Sequence, residues 1–149
     1  MDSTRASTRC NIVIVDDDQL VRDFAAHAVI FHTNRRIVAL ENGFDGWQYI
    51  QNRRHEVDMV IADAHLPDMD GLELLTLVKQ DDPGKRFILT SSNGTHEQTA
   101  GRLGADAFLA KPYDVQDLLR IIQELVRTHG ATRPTQATIA FPTPDHKPS

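Results

Sequence analysis

Three aspartates in succession, Asp16, Asp17 and Asp18, follow directly on the apolar run Ile12–Val15 in "IVIVDDDQL". Carboxylates this close raise one another's pKa and strain the folded state unless something positive sits among them. Other reactive side chains also follow short apolar runs: Asp63 comes after Met59–Ala62, and Thr90, Ser91 and Ser92 after Phe87–Leu89. Lys111 comes after Ala107–Leu109 and Ala110. Brought together, these groups would suit phosphoryl chemistry. A carboxylate cluster fits a hard divalent cation, Mg²⁺ or Mn²⁺, which keeps water and leaves room for a phosphate oxygen. A lysine and a hydroxyl are common further partners of phosphoryl oxygens. One carboxylate would then be the nucleophile of an aspartyl phosphate, and the metal would cancel charge on the incoming group.

That chemistry needs a fold that gathers distant residues at one edge. The apolar runs are short, unbroken and bounded by polar turns, as strands buried on both faces are. "RRIVAL", ending at Leu40, is a fifth and weaker run. Between the runs, apolar residues recur at helical spacing: Val21, Phe24, Ala25 and Ala28; Phe44, Trp47 and Ile50; Val115, Leu118, Leu119, Ile122, Leu125 and Val126. Asp70 with Glu73, and Thr95 with Gln98, have capping-box spacing, and Asp114 is placed to cap the last helix. A β-α unit repeated five times predicts an α/β fold, a parallel sheet with helices on both faces. Ligand sites in such sheets lie outside the carboxyl ends of the strands, where Asp16, Asp17, Asp18, Asp63, Thr90, Ser91, Ser92 and Lys111 fall.

The totals are compatible with one domain and tails. The chain has 149 residues, a net charge of −5 and a pI of about 5.7. A mildly acidic chain is a poor candidate for nucleic-acid or membrane-surface binding, so no direct DNA binding is expected. Cys10 is the single cysteine, so no intrachain disulfide can form. There is no signal-peptide pattern and no run approaching the ~18 apolar residues of a membrane span, which makes the cytoplasm the expected location. Residues 1–9 are expected to be a flexible arm, 10–128 the folded domain, and the Pro- and Thr-rich 129–149 a disordered tail or linker.

The stretches "IVIVDDD", "DMVIADAHLPDMDG", "FILTSS" and "LGADAFLAKPY", in this order, resemble the receiver domain of bacterial two-component response regulators, of the chemotaxis-receiver kind. The resemblance covers roughly residues 10–128 and implies a flavodoxin-like (βα)5 sheet of strand order 2-1-3-4-5. It implies that Asp63 is the phosphoacceptor and that Asp16 and Asp17 are the acidic pair. Asp17 would bind the metal directly, Asp16 mainly through water, and the His65 backbone carbonyl would complete the protein ligands. Lys111 would reach the phosphoryl group, and its bond to Pro112 is expected to be cis. Ser91, with Thr90 as the alternative, would be the switch hydroxyl and Phe108 the aromatic that follows it. His65 and Asn93 border the path of attacking water and are expected to tune the lifetime of the phosphate. The stretch from Ser91 to Gly104 is shorter than usual for the family.

The expected partners are a sensor histidine kinase or histidine phosphotransfer protein upstream and a protein target downstream. The chain would be a monomer or a phosphorylation-dependent dimer. The tail is too short for a helix-turn-helix or an enzyme module. A free-standing receiver, or a piece of a longer regulator, is therefore expected.

Blander roles account for several residues. A helix cap needs one of the three aspartates, and Asp18 is the one expected to serve. Asp68 and Asp70 are assigned to the turn in "LPDMDG". Trp47 and Tyr49 are read as packing, and Phe108 has a core role as its alternative. The seven histidines show no metal-ligand spacing. Two rival functions remain. A haloacid-dehalogenase-like phosphatase would use Asp16 and Asp18 as a D-x-D pair but leaves Asp63 unexplained. An interaction module that never takes phosphate leaves the acidic pair, Asp63 and Lys111 unexplained.

Overall fold

Runs of Val, Ile, Leu and Phe without a polar break have nowhere to sit except between two apolar layers. A computed structural model describes residues 11–127 and places them there. The arm expected at residues 1–9 and the tail expected at 129–149 lie outside the described residues. The elements run β1 (Asn11–Val15), α1 (Gln19–His32), β2 (Arg36–Leu40), α2 (Gly43–Asn52) and β3 (Met59–Asp63). They continue as α3 (Gly71–Asp81), β4 (Arg86–Ser91), α4 (His96–Arg102), β5 (Ala107–Ala110) and α5 (Val115–Arg127). All strand pairs are parallel, in the order β2-β1-β3-β4-β5. This is the flavodoxin-like order expected from the resemblance.

Successive strand residues point to opposite faces, and the sheet divides its core accordingly. Val13, Val15, Val60, Phe87, Leu89 and Phe108 pack towards α2, α3 and α4. Ile12, Ile14, Met59, Ile61, Ile88 and Leu109 pack towards α1 and α5. The central strands β1, β3 and β4 are buried nearly throughout, whereas β2, the weak run in the sequence, is a half-buried edge. Each large aliphatic side chain so enclosed contributes roughly 1.5–3 kcal/mol.

The helix starts show which capping signals were strong. The Asp18 carboxylate accepts the Leu20 and Val21 backbone N–H groups, as expected. Asp70 accepts from Leu72 N–H, and Asp114 from Asp117 N–H. Thr95 departs from expectation: it precedes α4 in a helical conformation and its side chain makes no cap bond. Its own N–H and hydroxyl instead donate to Asn93 Oδ1, at 3.0 and 2.7 Å. An Asx turn from Asn93 has replaced the capping box.

Helix α2 is capped twice. Asn42 accepts from Asp45 N–H, and Asp68, far along the chain, accepts the Gly43 and Phe44 N–H groups, each at 2.9 Å. Asp68 therefore does more than form a turn. It ties the loop after β3 to the start of α2.

Candidate functional site

Parallel pairing brings the carboxyl ends of β1, β3, β4 and β5 to one edge. Asp16, the first residue past β1, is held there by its backbone: its N–H donates to Leu40 O, and its own carbonyl accepts from Arg22 Nη1 at 2.7 Å. Its Oδ1 accepts the Asp18 N–H, which leaves Oδ2 turned towards the site. Asp63 ends β3, and Ala64 N–H donates to Thr90 O, locking this end against β4. Both carboxylates are buried, whereas Asp17 between them is exposed.

Gly71, first in α3, sets how near that helix comes. A β-carbon there would fall inside contact distance of the Asp63 carbonyl oxygen and 2.7 Å from Ala64 Cα. The absence of a side chain lets Gly71 N–H donate to Ala64 O at 2.8 Å.

The positive charge demanded by the aspartates comes first from Lys111. Its ammonium nitrogen lies 2.9 Å from Asp16 Oδ2 and 3.2 Å from Asp63 Oδ1. The Lys111 N–H donates to Ser91 O, so the lysine is also tied to the end of β4, and its bond to Pro112 is cis as expected. Burial drives the Asp63 pKa up, and the opposing Lys111 charge does not fully offset it, so the carboxyl sits above its ordinary value. Burial acts downward on Lys111, but Asp16 and Asp63 outweigh it and hold its pKa above the usual lysine value. Tyr113, beside the site, is raised by burial and by the Asp16 and Asp63 charges, so its phenol keeps its proton at neutral pH.

One lysine against three carboxylates leaves the cluster net negative. Asp16, Asp17 and Asp63 each offer an oxygen, and these oxygens lie within 4.8 Å of one another. All-oxygen donors with one exposed member suit a hard divalent ion that retains water.

Ser91 ends β4 on the face that carries Leu89 and Phe108, while Thr90 points to the opposite face. The Ser91 Oγ accepts Asn93 N–H at 2.9 Å and lies 2.8 Å from His96 Nδ1. Phe108 is buried against α2, α3 and α4, the core role weighed for it above. His65 is exposed in the loop after β3, its ring tilted against that of His96 with centroids 5.6 Å apart. Of the expected residues, Asp16, Asp17, Asp63 and Lys111 come together in one cluster, Ser91 groups with Asn93, and Phe108 lies in the core. His96 was not among them. Its signal in the sequence is only that it opens the helix after Ser91, and the scattered histidines gave no reason to single it out.

Beside Lys111 an apolar concavity of about 460 Å³ opens between α1 and the segment after β5, lined by Leu20, Phe24, Pro112 and Tyr113. Leu20 is 81% exposed at its rim.

Comparison with known proteins accords with this geometry. Residues 12–123 match the response regulator receiver domain model. The chain is 31% identical over 117 residues to the response regulator ArlR of Staphylococcus aureus, which covers 78% of this chain and 52% of that protein. It thus spans about half the length of the curated relatives it matches. A CheY-like receiver domain from Methanospirillum hungatei superposes with a TM-score of 0.75 at 28% identity, covering 81% of this chain and 96% of that one. A receiver domain from Clostridium thermocellum gives 0.75 at 20% identity, covering 79% and 94%, and bears on the fold alone. With the family's model spanning nearly all the described residues, on a sheet of the family's strand order, the chain belongs to the response regulator receiver domains, the phosphoacceptor switches of two-component systems.

Proposed function

We propose that the chain takes a phosphoryl group onto Asp63 from a phosphohistidine on a histidine kinase or histidine phosphotransfer protein. The observation that carries this is Lys111 bridging Asp16 and Asp63 within an otherwise negative cluster. An Asp63 carboxylate oxygen forms the new P–O bond as the P–N bond of the donor breaks, and the imidazole leaves with the bond's electron pair and takes up a proton. Lys111, already against Asp63, holds a phosphoryl oxygen as the group arrives. Mg²⁺ (or Mn²⁺) would be held by Asp16, Asp17 and Asp63 with the His65 carbonyl. When bound, it supplies charge neutralisation for the transferring group.

Ser91 is the hydroxyl that then engages the phosphoryl group. It is favoured over Thr90 because it shares a face with Phe108, the aromatic that would follow its movement. His65 and Asn93 set the lifetime of the phosphate, and His65→Ala and Asn93→Ala should change its decay rate. The concavity beside Lys111 gives a donor protein an apolar foothold next to the lysine that pairs with Asp63.

The output is contact with a protein target rather than DNA, and the reaction on the chain is limited to its own phosphorylation and slow hydrolysis. Residues 10–128 carry this switch, in the cytoplasm. Among the described residues no helix is long and apolar enough to cross a membrane. The D-x-D phosphatase alternative is disfavoured because the Asp18 carboxylate is spent on capping α1.

Intact mass after incubation with Mg²⁺ and acetyl phosphate tests the reading. One phosphoryl adduct is expected on the wild type, absent from Asp63→Asn and absent with EDTA. Steady hydrolysis of a phosphomonoester, with no adduct, would overturn it.

A further inference from the structure

The Ser91 hydroxyl already has two close partners, Asn93 N–H and His96 Nδ1. A serine hydroxyl has one proton to donate and two lone pairs. One lone pair takes the Asn93 N–H. If His96 Nδ1 is bare, the Ser91 proton goes to it over 2.8 Å. If Nδ1 carries the proton, it fills the second lone pair, and the hydroxyl is left with the long 3.4 Å approach to Asn93 O. In either tautomer His96 occupies Ser91.

The imidazole is itself well placed to stay there. His96 is half-buried as the first residue of α4, and its ring packs against that of His65. The His96 backbone N–H donates to Asn93 O, and Asn93 Oδ1 holds Thr95. The loop from Ser91 to His96 is thereby closed on one hydroxyl.

We propose that His96 is a positioning residue, a latch that holds the Ser91 hydroxyl on the α4 side until a phosphoryl group on Asp63 competes for it. This rests on the reading of Asp63 as phosphoacceptor and Ser91 as switch hydroxyl. Switching must break the Ser91–His96 bond, so His96 sets how far the unphosphorylated state is favoured. It also ties that equilibrium to the start of α4, which has no side-chain cap of its own.

The test is a titration of the full chain with beryllofluoride and Mg²⁺, beryllofluoride being a mimic of the carboxyl phosphate, followed by fluorine NMR of the bound species. Removing one competing hydrogen bond in His96→Ala should tighten binding about two- to tenfold. His96→Asn, whose amide can stand where Nδ1 does, should return it close to the wild-type value. In a Ser91→Ala background His96→Ala should change nothing, a result that a general loosening of α4 would not produce. Unchanged or weaker binding by His96→Ala, or an equal gain without Ser91, overturns the latch while the phosphoacceptor reading stands. A wild type that binds no beryllofluoride overturns both.

Discussion

Lys111 Nζ lies 3.2 Å from Asp63 Oδ1, which makes the end of β5 the counter-charge for the end of β3. The same ammonium holds Asp16, so its loss leaves two buried carboxylates facing each other. A lysine whose folded pKa is raised adds stability that is complete below its unfolded value and lost as pH rises through the folded one. At pH 7, Lys111→Met should therefore cost metal-free protein about 1–2 kcal/mol, less than a fully buried pair, because the ammonium is partly open to solvent. Urea unfolding reads this directly. Lys111 and a divalent ion compete for the same oxygens, so the variant should also bind Mg²⁺ more tightly. Equal stability and equal Mg²⁺ affinity would show that the bridge is energetically idle.

Asp63 carries the opposite sign. Burial lifts its pKa above the usual aspartate value. A carboxyl raised on folding holds its proton more firmly in the native state, so ionising it costs stability once pH passes the folded value. Asp63→Asn cannot ionise. In metal-free protein at pH 7 it should melt above the wild type, and the difference should shrink at a pH low enough to protonate Asp63. Thermal melts at the two pH values measure it. A lower midpoint for the variant at pH 7 would mean that the Lys111 pairing outweighs the burial cost.

Asp68 should matter for stability and not for phosphate uptake. Burial pushes its carboxyl up, but the Phe44 and Gly43 N–H groups, with its own and that of Met69, pull it below the ordinary value. A depressed carboxyl contributes stability above its unfolded pKa and loses it as pH falls through the folded one. Asp68→Ala should cost about 1 kcal/mol at neutral pH, the usual loss for a helix cap. Denaturant midpoints should converge at low pH, and the rate of adduct formation with acetyl phosphate should stay at the wild-type value.

Gly71→Ala forces a methyl group onto the Asp63 carbonyl and Ala64 Cα. Both obstacles are backbone and cannot swing aside, so the helix or the strand end must shift. A loss of about 1–3 kcal/mol is expected, as for other overpacked sites. Because the shift falls at Asp63, the proposed phosphoacceptor, adduct formation should slow as well. A variant that is destabilised yet phosphorylates at the normal rate would place the displacement in α3 alone.

Much of this was legible in the residue order. Continuous apolar runs such as Ile12–Val15 and Met59–Ala62 have one stable use, a strand covered on both faces, and the helical spacing between them dictates the alternation. The polar residues after each run, Asp16, Asp63, Ser91 and Lys111, then share an edge for topological reasons alone. What depended on tertiary structure is contact between segments whose separation in sequence carries no signal. Asp68 caps a helix through Phe44, 24 positions before it in sequence, because the two loops meet only once the sheet has closed. Thr95 has the spacing of a cap, yet the carboxamide of Asn93 lies nearer and takes its N–H first. His96 meets Ser91 through the turn of a short loop, and His65 through the neighbouring loop of another strand. Local patterns are set by the pitch of the chain and can be read along it, whereas which side chains finally touch is decided by packing in three dimensions.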